Sequence, residues 1–555
     1  MLNLSEDILR KIEIYALENA VSHNGKAVSK PVLNKIIAEH KELLENIKEL
    51  SEIVERKVEE INKMSLEDQK RKLEFLGWQK RNIEKREKSL KDIAKPGEKF
   101  IVRFAPNPDG AITIGNARPA ILCDEYAKRY NGIFILRFDD TDPKIKVPEK
   151  RFYRWVIEDL KWLGIKIDKI VYQSKRLKIY YKYAEDLIKM GKAYVCTCDI
   201  EEWRKLRNEG KPCKCRDLSP EENLIRWEKM FNEYKEHEAV LRIKTDLSHE
   251  NFAVRDFPAF RIVEDCKHPL VKARVWPLYN FASAIDDHLL EITHILRGQE
   301  HATNATKQEF IYKYFGWEYP KVFILGRISL SDMVLSKSKI RAGINNKIFS
   351  DWDDPKVGTI RALRRRGFSP IALRKIILDI GIKPNDVTIS KENLEAYNRK
   401  VIDEIANRYF FVKEPVKIEI DGLPFGSKKI RMHPIIDRGY REISFGKYFL
   451  IDREDFEKFR GNIVRLKDLC DVILEKKCKI VSIEHTKEKS IPIIQWVPYD
   501  FKIKTKIIMP EKIIEGYGEL NLKNLKKGDI IQLERFGFCR VEMVGKTIKL
   551  VFSHK

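Results

Sequence analysis

The stretch that most constrains this chain is "FIVRFAPNPDGAITIGNARPAILCDEYAKRYNGIFILRF", residues 100–138. An apolar run ends in a loop carrying Pro106, Pro108 and Gly110. A helix-compatible segment follows, then Asn131-Gly132, then "IFILRF", a continuous apolar run of the kind a strand buried on both faces shows. Strand, loop, helix and strand within about forty residues make a βαβ unit, which commits the region to a parallel sheet. In such sheets ligands sit beyond the carboxyl ends of the strands, where the next helix begins. Gly110 lets the backbone turn closely. Gly115 keeps a Cβ away from the helix start, whose amides favour phosphate. Thr113 and Asn116 add neutral hydrogen-bonding groups beside it. From these residues alone the loop is either a phosphate cradle or a structural Pro/Gly turn.

At 555 residues the chain exceeds what one core can hold, so about three to five domains are expected. Its 107 Lys and Arg against 84 Asp and Glu leave a net charge of +23. That excess points to a polyanionic partner, nucleic acid first, although a lysine-rich, heat-adapted proteome produces the same bias. No apolar run nears the roughly 18 residues that span a bilayer. The start, "MLNLSEDILRKIEI", has acids where a secretory leader has bases. A cytoplasmic protein without membrane segments or disulfides is expected.

Residues 1–97 are highly charged, and "KELLENIKELSEIVERKVEEINKM" spaces its apolar positions by three and four, so a helical extension is expected. An α/β region spans 98–330, interrupted at 195–275, where periodicity weakens and cysteines cluster. Sheet character returns in "VWPLYNFASAIDDHLLEITHILRG" and "KVFILGRI". Residues 331–412 read as helical, most clearly "RALRRRGFSPIALRKIILDIG". From 413 to 555 short alternating runs such as "VKIEI", "REISF" and "KIKTKIIM" predict one or two β-barrels. Their basic strands with interspersed aromatics suit unpaired bases, or form the charged exterior of an ordinary barrel. The expected fold class is multidomain, α/β joined to all-β.

Two further patterns carry chemistry. In "GRISLSDMVLSKSKIR" a lysine, Lys337, stands between Ser336 and Ser338 in a polar loop. A mobile ammonium there suits a phosphoryl transition state, because its charge can follow leaving pyrophosphate; alone, the triplet is a weak signal and usually marks a solvated loop. Cys196 and Cys198 form one CxC pair, Cys213 and Cys215 another. Four such thiolates suit a closed tetrahedral structural zinc site, with unliganded thiols as the alternative. Cys123, Cys266, Cys470, Cys478 and Cys539 read as packing residues, and His288 and His301 as core or loop residues.

Together "TIGN" (113–116) and "VLSKS" (334–338) resemble the HIGH and KMSKS signatures of class I aminoacyl-tRNA synthetases. The segments "RFAPNPDG", "LRFDDTDP", "AYVCTC", "LYNFASAIDDHLLEITHILRG", "DPKVGTIRALRRRGF", "IQWVP" and "GDIIQLERFGFCRV" occur in the order of the glutamyl/glutaminyl family and resemble its archaeal glutamyl type over roughly residues 100–545. The resemblance implies a Rossmann-type catalytic domain with a zinc-containing insertion that meets the tRNA acceptor end. It further implies a helical connecting domain and C-terminal anticodon-binding β-barrels. It assigns Thr113, Asn116 and Lys337 to catalysis. Gly110, Gly115, Glu300, Ser336 and Ser338 fall to ATP. Arg103 and Arg297 are to face glutamate, with Asp139 near its ammonium and Ala105, Asn107, Tyr279 and Ser283 in the pocket. ATP with Mg²⁺, L-glutamate and tRNA(Glu) are the implied partners of a monomer; archaeal relatives commonly charge tRNA(Gln) too, and the resemblance leaves open whether this chain does. Thr113, Asn116 and Val334 depart from the family pattern, where two histidines and a lysine are usual. A glutaminyl enzyme and an inactive tRNA-binding paralogue are the other readings this leaves open.

Overall fold

The computed structural model describes residues 4–22, 25–76, 90–483 and 491–555. The chain divides into two compact units, Met1–Ser89 and Leu90–Lys555. The first is built from helices Glu6–Ser22, Ser29–Glu39, Ile47–Asn62 and Leu66–Phe75 around a core that includes Ile12, Ala16, Val54 and Ile61. The helix expected from residue 41 is tighter at its start. Lys41–Asn46 is 3₁₀, and α geometry begins at Ile47 because Asn46 takes φ −115°, ψ 33°. The rest of the expected extension, residues 77–89, lies outside the described residues.

In the second unit the βαβ segment folds as its pattern requires. Strand Ile101–Phe104, helix Ile114–Arg129 and strand Ile133–Phe138 follow one another, and the two strands pair in parallel. The full sheet runs Lys169–Tyr172, Ile133–Phe138, Ile101–Phe104, His294–Gly298, Lys321–Leu325, all parallel. The helix Ile114–Arg129 buries Ile114, Ala117, Ile121 and Leu122 in the core shared with Val102, Phe134, Leu136 and Phe138. Between strands Lys169–Tyr172 and His294–Gly298 of the parallel sheet the chain forms a separate antiparallel sheet, Ala193–Cys196, Val240–Ile243, Pro258–Ile262 and Val275–Pro277, with its own core.

The segment read as helical after residue 331 holds helices Lys337–Asn345, Ile360–Arg366, Pro370–Ile380 and Lys391–Ile402. It also contains a strand, Val387–Ile389, paired with Ile328–Leu330. The segment "RALRRRGFSPIALRKIILDIG" is helical as expected and divides into two helices. Gly367 at φ +90° ends the first, and Ser369 caps the second with Pro370 at its first turn. Residues beyond Asn407 form two seven-stranded mixed sheets and the hairpin Gly426–Arg431 with Tyr440–Phe445. Among the described residues no helix is long and apolar enough to cross a membrane.

Candidate active site

Three strands of the parallel sheet end in the same way: "IVRF", "ILRF" and "HILRG". Arg103, Arg137 and Arg297 are thus each the penultimate residue of neighbouring strands, at the carboxyl edge of the sheet. All three are buried. The register pairs Phe104 with Leu136, and carrying it one residue on sets Ala105 level with Arg137. A small residue there leaves room for the long side chain alongside.

Buried guanidinium groups require acceptors, and helix Tyr279–Leu289 supplies them. Asp287 accepts from Arg103 Nε at 3.0 Å and from Arg137 Nη1 at 2.6 Å. Arg137 also donates to Asp139 at 2.7 and 3.2 Å and to Ser283 at 2.7 Å. Burial opposes charge on Arg137, but Asp139 and Asp287 outweigh it and hold its pKa well above the ordinary value. Burial likewise pushes Asp287 up, and Arg103 and Arg137 overcome it, leaving the carboxyl below its usual range. At Asp139 burial wins over Arg137, and the pKa rises to about 6.

Arg297 is held differently. Both terminal nitrogens donate to Oε1 of Gln308 at 3.1 Å, and the Tyr319 hydroxyl donates to the same oxygen at 2.8 Å. Tyr279 is half-buried with its ring 5.6 Å from that of His301, whose pKa burial lowers. Asn107 donates to the Lys146 carbonyl at 3.0 Å, and its Oδ1 is buried without a partner.

The Pro/Gly loop leads from this pocket to the helix at Ile114. Thr113 is the N-cap, and with Asn116 it forms a reciprocal capping box. The Thr113 hydroxyl donates to Asn116 Oδ1 at 3.0 Å, so these two side chains bond each other. Thr113 is buried and Asn116 exposed. Packing demands glycine at 110, where a Cβ would overlap the ring of Trp352. At Gly115 a Cβ would meet nothing nearer than the Ile328 carbonyl at 3.6 Å, so the chain's own packing does not require glycine there.

The lysine loop reaches this turn. Lys337 Nζ donates to the Asn107 carbonyl at 3.0 Å and to Asp109 at 2.9 Å. Arg341 donates to the Asp109 carbonyl. The Ile114 amide donates to the Gly358 carbonyl at 3.1 Å, and Gly358 in turn donates to Val334 at 3.0 Å. The early turn and the late loop are therefore one assembly. Ser336 caps the helix that begins at Lys337, and its hydroxyl lies 3.0 Å from that of Ser338; both are exposed. Glu300 does not join the buried network; it is exposed, with Arg327 at 3.7 Å.

Cys196, Cys198 and Cys213 gather their sulfurs within 4.8 Å of one another, and Cys215 lies 3.6 Å from Cys198. The Cys196 and Cys213 sulfurs are 4.0 Å apart. Zinc–sulfur bonds of about 2.3 Å put tetrahedral ligands about 3.8 Å apart, so the spacing fits. No other group of three or more metal-ligating side chains occurs among the described residues. The five remaining cysteines are free and, except for the half-buried Cys266, buried. His288 stacks on Trp317 at 3.6 Å, a packing role.

Sequence reasoning overlooked Arg137, Asp287, Gln308 and Asp109. Two of these were visible: "ILRF" repeats the pattern of "IVRF", and Asp287 continues the four-residue spacing of Tyr279 and Ser283 along one helix face.

A family model described as tRNA synthetases class I (E and Q), catalytic domain, matches residues 99–404, and two anti-codon binding domain models of the same group match 406–488 and 493–542. A glutamate–tRNA ligase of Pyrococcus abyssi is 51% identical, covering 98% of both chains. The Thermococcus onnurineus protein of that name is 49% identical over 100% of both, and that of Methanocaldococcus jannaschii is 45% identical over 96% of this chain and 97% of its own. A solved glutamate tRNA ligase from Elizabethkingia meningosepticum aligns loosely, with TM-score 0.41 and 23% identity over 55% of this chain and 70% of that one.

Proposed function

This chain belongs to the class I tRNA synthetases of the glutamate and glutamine group, and from that premise we infer that it is a glutamate–tRNA ligase. It activates L-glutamate with ATP and passes the glutamyl group to the 3′-terminal adenosine of tRNA(Glu), and of tRNA(Gln) as well, acting as a cytoplasmic monomer. The observation that carries the choice of glutamate is the charge of the buried pocket. Three arginines face two aspartates there, and the surplus positive charge matches a substrate of net charge −1.

In this reading the pocket takes the amino acid with its ammonium beside Asp139 and its side-chain carboxylate against Arg103 and Arg297. Arginine suits that task because it meets a carboxylate through two parallel hydrogen bonds. Ala105, Asn107, Tyr279 and Ser283 shape the cavity. The α-carboxylate oxygen attacks the α-phosphorus of ATP in line, the bond from that phosphorus to the α,β-bridging oxygen breaks, and pyrophosphate leaves. No covalent enzyme intermediate is needed, since positioning and charge stabilisation supply the rate. Gly110, the backbone amide of Gly115 and the side-chain amide of Asn116 cradle the triphosphate, with Thr113 holding Asn116 in place. Lys337 exchanges Asp109 for the departing phosphates, while Ser336, Ser338 and Glu300 border the nucleotide. A ribose hydroxyl of the tRNA then attacks the adenylate carbonyl and AMP departs.

Mg²⁺ travels with ATP. The described residues offer no carboxylate set for it, and no step here depends on a protein ligand to it. Cys196, Cys198, Cys213 and Cys215 would hold zinc with no open position, a cross-link that fixes the insertion's fold. The working test is aminoacylation of purified tRNA(Glu) and tRNA(Gln) with labelled glutamate and labelled glutamine. Glutamate is expected on both tRNAs; transfer of glutamine in place of glutamate would overturn the assignment.

A further inference from the structure

We propose that Gln308 is a positioning residue that fixes Arg297 without neutralising it, and thereby makes the pocket select an acidic side chain over its amide. The inference rests on the glutamate–tRNA ligase reading and deepens it. The three strand-end arginines are not equivalent. Arg103 and Arg137 each pair with carboxylates, Asp287 and Asp139. Arg297, only 4% exposed, directs its two terminal nitrogens at a single amide oxygen. Three donors converge on that atom, two from Arg297 and one from Tyr319, which identifies it as Oε1 rather than Nε2.

Arg297 hydrogen-bonds no carboxylate, and Asp287 reaches it only through space; a buried guanidinium so held is costly until a closer counter-ion arrives. Arg297 Nε and Gln308 Nε2 are both buried without partners, so the assembly also holds unused donors. Glutamate at position 308 would have nearly the same shape and would form the missing ion pair. The pocket would then carry three cations against three anions, and a substrate carboxylate would lose its advantage over a carboxamide. Tyr319 anchors the arrangement from behind, since its hydroxyl orients the Gln308 oxygen.

The experiment is ATP–pyrophosphate exchange by the full-length enzyme with tRNA present, using glutamate and glutamine as separate substrates. Gln308→Glu is expected to raise the glutamate KM by about 10²-fold and to lower the glutamate-over-glutamine ratio by about 10²–10³, with the ATP KM within about twofold. Gln308→Met, neutral and of similar length, is expected to raise the glutamate KM by about tenfold and to keep the ratio, because Arg297 stays charged but less well held. An unchanged ratio in Gln308→Glu, or identical behaviour of the two variants, overturns the proposal. Should Gln308→Glu fail to fold, Tyr319→Phe decides: an increase of about three- to tenfold in glutamate KM alone supports it, and an unaltered KM overturns it. Wild-type enzyme lacking any glutamate-dependent exchange would instead sink the functional reading itself.

Discussion

The buried pocket and the loop assembly beside it handle charge in opposite ways. In the pocket Arg103, Arg137, Asp139, Ser283 and Asp287 form one dry network, each charge fixed by two or more hydrogen bonds. At the loops Lys337 is partly exposed and bonded to Asp109 and to a backbone carbonyl, partners that an incoming phosphate can replace. Fixed charges in a low-dielectric site discriminate between substrates, because a misfit leaves a buried group unpaired. Exchangeable charges near solvent can move with a reaction, at the cost of weaker interaction. Under the proposed function, selectivity and rate fall to separate parts of this molecule and should fail separately.

Arg297→Ala should break the pocket side. It is expected to lower kcat/KM for glutamate by about 10³, nearly all of it in the glutamate KM, with the ATP KM little altered. Steady-state exchange kinetics check this, and equal effects on both substrates would erase the distinction. Lys337→Ala should break the other side, with kcat for exchange down about 10²–10³ and the glutamate KM almost unmoved. A mainly KM effect there would merge the two regions. The smallest effect is a pH dependence. Burial holds Asp139 near a pKa of about 6, so the group is ionised above that pH and protonated below it. The glutamate kcat/KM should therefore fall towards tenfold per pH unit below about 6, while the ATP KM stays level. A flat acid limb would remove Asp139 from the ammonium site.

How much of this was readable in advance depends on the range of the interaction. The βαβ unit, the helix start at Thr113 and the cysteine pairs are local patterns, and each is found where its pattern lies. The break at Gly367 was also local, yet the arginine-rich helix pattern on either side masked Gly-Phe-Ser-Pro as a stop and restart. Adjacent Asp286 and Asp287 look alike in sequence but point about 100° apart on their helix. Asp286 meets Arg176 and Tyr180, whereas Asp287 meets Arg103 and Arg137. Lys337 and Asp109 are 228 residues apart, and Gln308 shows its role only once Arg297 is seen to lack a carboxylate. Such pairings follow from tertiary packing, which no local period encodes.

Selection of glutamate by surplus buried positive charge is the claim on which the rest turns. Exchange kinetics of the wild-type enzyme with saturating ATP and tRNA, comparing glutamate with glutamine, test it directly. A glutamate preference of about 10⁴ or more in kcat/KM is predicted for a site that pairs the substrate's charge. Comparable values for the two amino acids, or a preference for glutamine, would contradict it.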